Sequence, residues 1–188
     1  MNIQIRPAQP TDAEKAVPLI MDAIGEIANW LTGATEDEMV AERLRELFMR
    51  TDNRHSYLNT YIAEMSDHMV GIIVLYPGED SSMLDCNLTN WLIGKGVPTP
   101  EIDAESLPGE LYIDTVGIAP NFRGKGIGTQ LFTFAEDLAK QQGYTKLSLN
   151  VETQKDSAIR LYKRLGYEIV SPWTIIGEPF HHMVKLIQ

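Results

Sequence analysis

Ile3 and Ile5 alternate with polar residues until Pro7, a pattern that predicts a short strand over 2–6. Thr11 and Glu14 then carry a capping-box spacing. Val17, Ile20, Met21, Ile24, Ile27 and Leu31 follow at helical intervals and predict one helix, with Pro18 kinking it or delaying its regular start. Met39, Val40, Leu44, Leu47 and Phe48 predict a second amphipathic helix between Thr35 and Arg50. Residues 57–65 and 69–76 read as two strands joined by a tight turn at Ser66-Asp67-His68. Ile72 through Tyr76 is a continuous β-favouring run, as in a central strand, and Pro77-Gly78 ends it.

From 77 to 110 the periodicity breaks down. Pro98, Pro100 and Pro108 argue against a long regular element, and 83–95 has room for a short helix. Sheet-like sequence resumes on the far side, so this stretch reads as a long functional connection within one domain. Leu111 through Ile118 predicts a strand. Ile127, Leu131, Phe134 and Leu138 predict a helix that Gly143 can end. Leu147, Leu149 and Val151 alternate as a strand; Ala158, Leu161, Tyr162 and Leu165 mark a helix closed by Gly166; strands around 167–171 and 180–187 finish the chain. This order predicts a single α+β domain over 1–188. The strands at 111–118 and 145–151 are expected to run parallel, because a helix connects them.

Composition narrows the function more than the fold. Apolar residues make up 44% and charged residues 22% of the 188, which excludes a disordered chain, a fibre or a repeat array. The formal charge is 16 − 26 = −10, which speaks against nucleic acid and favours cationic partners. Cys86 is the one cysteine, so neither an internal disulfide nor a zinc site built on cysteine pairs is available. No stretch approaches the roughly 18 apolar residues of a membrane span. Met1 through Pro7 lacks the basic and apolar regions of a signal peptide, so a cytoplasmic protein is expected.

The strongest chemical signal is Arg123-Gly124-Lys125-Gly126-Ile127-Gly128-Thr129, between a predicted strand and a predicted helix. Its glycines remove the Cβ atoms that keep a ligand from the backbone, and the free N–H groups of a helix start suit a phosphate or pyrophosphate. A P-loop, G-x-x-x-x-G-K-S/T, does not fit, because Gly126 follows Lys125 and Ala119 stands at the first glycine position. A dinucleotide fingerprint, G-x-G-x-x-G, does not fit either, because Thr129 takes its last glycine position. The spelling R-x-x-G-x-G does fit, as Arg123, Gly126 and Gly128. With Val116 through Gly124, Leu147 through Val151, and the L-Y-x-x-x-G-Y of Leu161 to Tyr167, the chain resembles the GNAT superfamily of acyl-CoA-dependent N-acetyltransferases.

The resemblance implies a mixed, mostly antiparallel sheet of about seven strands with about four helices, in which the strands at 111–118 and 145–151 splay to admit acetyl-CoA. It places the pantetheine against Val116 and Ile118, with a bulge at Gly117 freeing their backbone groups, and the pyrophosphate on Arg123, Gly124, Lys125, Gly126, Ile127, Gly128 and Thr129. Asn150 joins the coenzyme contacts, and Lys155 stands where many relatives carry asparagine, leaving Asp156 or Ser157 to cap the next helix. Tyr162 is implied as the general acid for the departing thiolate, and a carboxylate of the preceding strand, Asp114 or Glu110, as the base.

The acceptor is expected to be a small primary amine. Between Pro77 and Glu110 stand Glu79, Asp80, Asp85, Glu101, Asp103, Glu105 and Glu110 against Lys95 alone, 1 − 7 = −6, which would draw a cationic amine. A non-catalytic acyl-CoA sensor and a protein acetyltransferase are the alternatives; Tyr162 and the long cover at 77–110 favour a small-molecule enzyme. No metal is expected, because His181 and His182, adjacent in a strand, face opposite sides. Trp30, Trp91 and Trp173 read as packing residues, and a homodimer is left open.

Overall fold

Ile62, Ile72 and Val74 point to one side of a central sheet, and Ile73, Leu75 and Ile113 to the other, so the sheet separates two apolar cores. This alternation is the period of two read along the chain. The computed structural model describes residues 3–188; Asn2, part of the first expected strand, lies outside them. Among the described residues there are seven strands and six α-helices, and no helix is long and apolar enough to cross a membrane.

The strands are β1 (Gln4–Pro7), β2 (Thr60–Met65), β3 (His68–Pro77), β4 (Leu111–Ile118), β5 (Lys146–Glu152), β6 (Glu168–Ile175) and β7 (Glu178–Leu186). They lie in the order β1-β2-β3-β4-β5-β7-β6. Every pairing is antiparallel except β4 with β5, which is parallel and covers only Leu111↔Leu147, Tyr112↔Ser148 and Ile113↔Leu149. Beyond Ile113 the two strands separate. The helices α1 (Ala13–Ile24), α2 (Ile27–Thr32) and α3 (Asp37–Met49) cover the Ile72 face; α5 (Ile127–Gln142) and α6 (Asp156–Arg164) cover the Ile73 face.

Several expectations shift. The single first helix is two. Pro18 costs α1 one backbone hydrogen bond without ending it, and the chain leaves the helix at Gly25, at φ 55° and ψ −129°. The expected capping box is displaced as well: Asp12 accepts the Gln9 N–H at 2.8 Å and pairs with Arg6. In the long connection, Ser81–Gly94 forms a full 14-residue helix, α4, because all three prolines lie beyond it. The described residues thus hold six helices where about four are expected, within the α+β architecture the sequence predicts. The Ser66-Asp67 turn is as expected, with φ of 50° and 62°. Trp30 is half exposed and is not a packing residue, whereas Trp91 is buried.

One register shift matters for function. Val74 pairs with Thr115 and Leu75 with Ile113, so Asp114 is the extra residue of a β-bulge. The bulge resets the alternation. Ile113, Val116 and Ile118 pack toward α5, while Tyr112, Thr115 and Gly117 take the other face. Asp114 therefore does not share a face with Val116 and Ile118, as simple alternation predicts. Gly117 is no bulge: it pairs with Ile72, and a Cβ there would stand 2.7 Å from the Leu19 carbonyl oxygen of α1.

Candidate active site

Where β4 and β5 part, the gap becomes a cleft of about 130 Å³. Tyr112, Asp114, Thr115 and Val116 border it from β4, Asn150 and Val151 from β5, Lys155 and Tyr162 around α6, and Glu105 from the segment after α4. Parallel strands need a long crossover, and here that crossover carries the glycine-rich loop and α5.

The loop is open. Gly126 precedes α5 at φ 79°, a left-handed conformation that suits glycine. A Cβ built on Gly124, Gly126 or Gly128 would meet no atom within 4 Å. The first N–H groups of this 16-residue helix have no intrahelical acceptors. Lys125 and Thr129 are exposed beside them, and Ile127 is buried beneath. Arg123 turns away from the loop: its guanidinium pairs with Asp22 of α1, and its Nε donates to the Ile118 carbonyl at 3.2 Å.

Tyr162 packs against Phe132 with ring centroids 5.5 Å apart, and burial raises its hydroxyl above the usual tyrosine range. It therefore holds its proton firmly at neutral pH. Lys155 precedes α6, its ammonium 2.6 Å from Glu152, and no side chain caps that helix, so neither Asp156 nor Ser157 takes the capping role.

Opposite Tyr162 stands a buried polar cluster with few outward signs in the sequence. Arg54, 1% exposed, pairs with Asp85 and Glu105 and lies 4.0 Å from Asp114. His55 Nε2 is 3.1 Å from the Asp114 carboxylate, which also accepts the Thr115 hydroxyl at 2.7 Å. Burial alone would lift Asp114, but the charge and hydrogen bond of His55 and the charge of Arg54 hold it well below the usual carboxylate range. Burial raises Glu105 instead, against the pull of Arg54. Two carboxylates on one cleft are thus pushed in opposite directions.

Glu110 is not brought to the cleft. It sits at the entrance of β4 with its carboxylate 3.1 Å from His182 Nε2, and reaches the cleft only through His182 and Asn150. Burial pushes its carboxyl up, yet the bond to His182 brings it net below the usual range. The acidic stretch 77–110 is not a free rim either. Asp85 and Glu105 are spent on Arg54, Asp103 accepts the Ile176 N–H at 2.6 Å, and Glu110 is spent on His182. The sequence reading passed over Arg54, His55 and the inward role of Glu105. The one available signal was the polar run Asp52 to Ser56, in which residues 53–56 are all buried.

The family model for the acetyltransferase (GNAT) family matches residues 24–167. A solved acetyltransferase superposes with a TM-score of 0.79 at 29% identity, covering 98% of this chain and 100% of that one. PaiA N-acetyltransferase from Thermoplasma acidophilum, solved in complex with coenzyme A, shares the fold with a TM-score of 0.61 at 17% identity, over 99% of each chain. Mycothiol acetyltransferase of Corynebacterium aurimucosum is 40% identical over 68 residues, which are 35% of this chain and 22% of that protein. The match thus spans about a fifth of that relative's length.

Proposed function

Because the chain belongs to the acetyltransferase (GNAT) family, we propose that it transfers an acetyl group from acetyl-CoA to a small, cationic primary amine. The observation that carries this reading is the cleft itself: Tyr162 on one side, Glu105 and Asp114 on the other, where β4 and β5 part.

Acetyl-CoA supplies the acyl group as an activated thioester. The open glycines at 124, 126 and 128 fit its pyrophosphate, since nothing occupies the space above them. Residues 124–129 hold that group with main-chain N–H donors and Lys125, Arg123 being turned to Asp22, while Val116, Gly117 and Ile118 border the pantetheine. Lys155, on the cleft, completes the contacts; Asn150 borders the same cleft, but its amide is given over to Glu105, Tyr112 and His182. Tyr162 keeps a proton at Oη for the departing sulfur. Asp114, built to stay ionised, anchors the ammonium rather than taking its proton. Glu105, raised by burial and facing the same cleft, is the better proton acceptor of the two. Direct attack is favoured over an acyl-enzyme, because Cys86 is exposed on α4 and borders no part of the cleft.

A small acceptor is favoured over a peptide. The segment before β4 is pinned across the cleft, with Trp173 Nε1 donating to the Ala104 carbonyl at 2.8 Å and Asp103 holding the Ile176 N–H. A screen of amines with acetyl-CoA, read by thiol release, tests the reading. Turnover is expected with primary amines that carry a further positive charge. Thiol release no faster than acetyl-CoA hydrolysis with every amine would sink it.

A further inference from the structure

His182, on β7, is fully buried and does not border the cleft. Its ring nitrogens have different partners: Nδ1 lies 2.8 Å from Asn150 Oδ1, and Nε2 lies 3.1 Å from Glu110 Oε2. The orientation of Asn150 is not free. Its Nδ2 stands 2.8 Å from the Glu105 main-chain oxygen, which can only accept, so the amide must present N–H there. The amide oxygen therefore faces His182, and Nδ1 must carry hydrogen, while Nε2 and Glu110 share a proton between them.

The chain of donors continues. Asn150 Nδ2 also gives to Tyr112 Oη at 3.2 Å, and Tyr112 passes its own hydrogen to Glu105 Oε2 at 3.0 Å. Every hydrogen bond from His182 through Asn150 and Tyr112 to Glu105 thus has one direction. Trp173 fixes the starting point: its ring lies 4.9 Å from that of His182 while its Nε1 binds the carbonyl of Ala104, the neighbour of Glu105.

We propose that His182 is a positioning residue for the acceptor end of the cleft, setting the Glu105 carboxylate through Asn150 and Tyr112; this rests on the acyl-transfer reading above. His182→Leu removes the donor to Asn150. It is expected to raise KM for the amine about tenfold, the value of one buried hydrogen bond to a coupled polar group, with acetyl-CoA affinity kept within about twofold. His182→Asn puts an amide N–H where Nδ1 stood and has no titrating ring, so it is expected to recover most of the loss. A purely structural role would lower thermal stability without separating amine KM from acetyl-CoA affinity. Equal impairment of H182L and H182N, no impairment of either, or loss of acetyl-CoA affinity in place of amine KM would each overturn the proposal.

Should H182L fail to fold, Asn150→Asp sets a second oxygen against the Glu105 carbonyl and is expected to give the same amine KM defect; unchanged KM would overturn the proposal equally. A further arm needs no turnover. The Asn150 side-chain amide, assigned by its absence in N150D, is expected to exchange slowly with solvent in wild type and H182N and quickly in H182L. Equal exchange in all three refutes the coupling, whereas failure of wild type to acetylate any amine refutes only the acyl-transfer reading.

Discussion

Two regions of β4 solve opposite problems. Past its C-terminal end, the loop around Gly124, Lys125 and Gly126 is exposed and leads into the first N–H groups of α5, which have no intrahelical acceptor. Around its bulge, Asp114 sits in a cluster of buried side chains drawn from 54–55, 76, 105 and 112, with the half-buried Asp85 at its edge. The first region is a conformation, and contiguous residues suffice to specify it. The second is an encounter between distant segments, and its chemistry exists only after folding. A local motif suffices to present main-chain N–H groups, whereas buried carboxylates are brought together only by a fold that holds them.

That contrast breaks first, and hardest, at Arg54. Its single charge faces Asp85, Glu105 and Asp114. Arg54→Met leaves those carboxylates buried without their cation. The expected loss is about 3–5 kcal/mol of stability, or roughly 6–20 °C in Tm for a chain of this size. Lys125→Met in the open loop is the control and should stay within about 0.5 kcal/mol. Urea unfolding of the pair decides it; an Arg54 effect as small as that of Lys125 would mean the cluster is not what the fold depends on.

Tyr162→Phe comes next. It removes the hydroxyl and keeps the packing on Phe132. The expected kcat loss is on the order of 10²-fold, with acetyl-CoA affinity nearly unchanged. Wild-type kcat under conditions where chemistry limits the rate would remove Tyr162 from the reaction.

The loop itself is tested by Gly126→Asp. Aspartate is among the few side chains that enter the left-handed region readily, so folding should survive φ 79° at this position. The added carboxylate would stand where a pyrophosphate approaches. Calorimetry should show acetyl-CoA binding at least about tenfold weaker, ~1.4 kcal/mol. Equal affinity in a folded variant would detach the coenzyme from this loop.

The same contrast explains what the sequence made legible. The glycine loop, the L-Y-x-x-x-G-Y helix and the parallel pairing of β4 with β5 are properties of contiguous segments, and they stand where the pattern puts them. Simple alternation puts Asp114 on the face of Val116 and Ile118 because it assumes an unbroken ladder, whereas the bulge depends on the pairing with β3. Glu105 and Asp85 counted as surface charge because nothing nearby in sequence announces Arg54. His182 drew attention only as half of an adjacent histidine pair, since its partners Asn150 and Glu110 lie 32 and 72 positions away. The pattern predicts one helix across α1 and α2, irregular only at Pro18, because a proline is the louder signal and a glycine such as Gly25 ends a helix only when the next turn packs elsewhere.

The smallest expected effect concerns the approach to the cleft rather than its interior. With Asp85, Asp103, Glu105 and Glu110, four of the seven 77–110 acids, held by internal partners, part of the long-range attraction of a cation falls to another rim. A hollow of about 360 Å³ shares Ile24, Ile27, Glu152, Lys155 and Phe180 with the cleft and adds Asp22, Glu26 and Glu178. Asp22 is paired with Arg123, and Glu152 with Lys155. Glu26 and Glu178, both exposed, are the rim acids without a basic partner among the described residues. Charges in water at such range are worth about 1 kcal/mol or less each, so two of them should change the capture of a cationic amine by only a few-fold. The Debye length falls from about 10 Å at 0.1 M salt to about 3 Å at 1 M. kcat/KM for a cationic amine should therefore decline a few-fold over that range, and the double variant Glu26→Gln, Glu178→Gln should start lower and decline less. The buried cluster is shielded from salt, so the residual preference for cationic over neutral amines should survive both the salt and the double variant. An undiminished salt response in the double variant would move the steering to other charges, and loss of the preference itself at high salt would show that Glu105 and Asp114 do not read the charge of the acceptor.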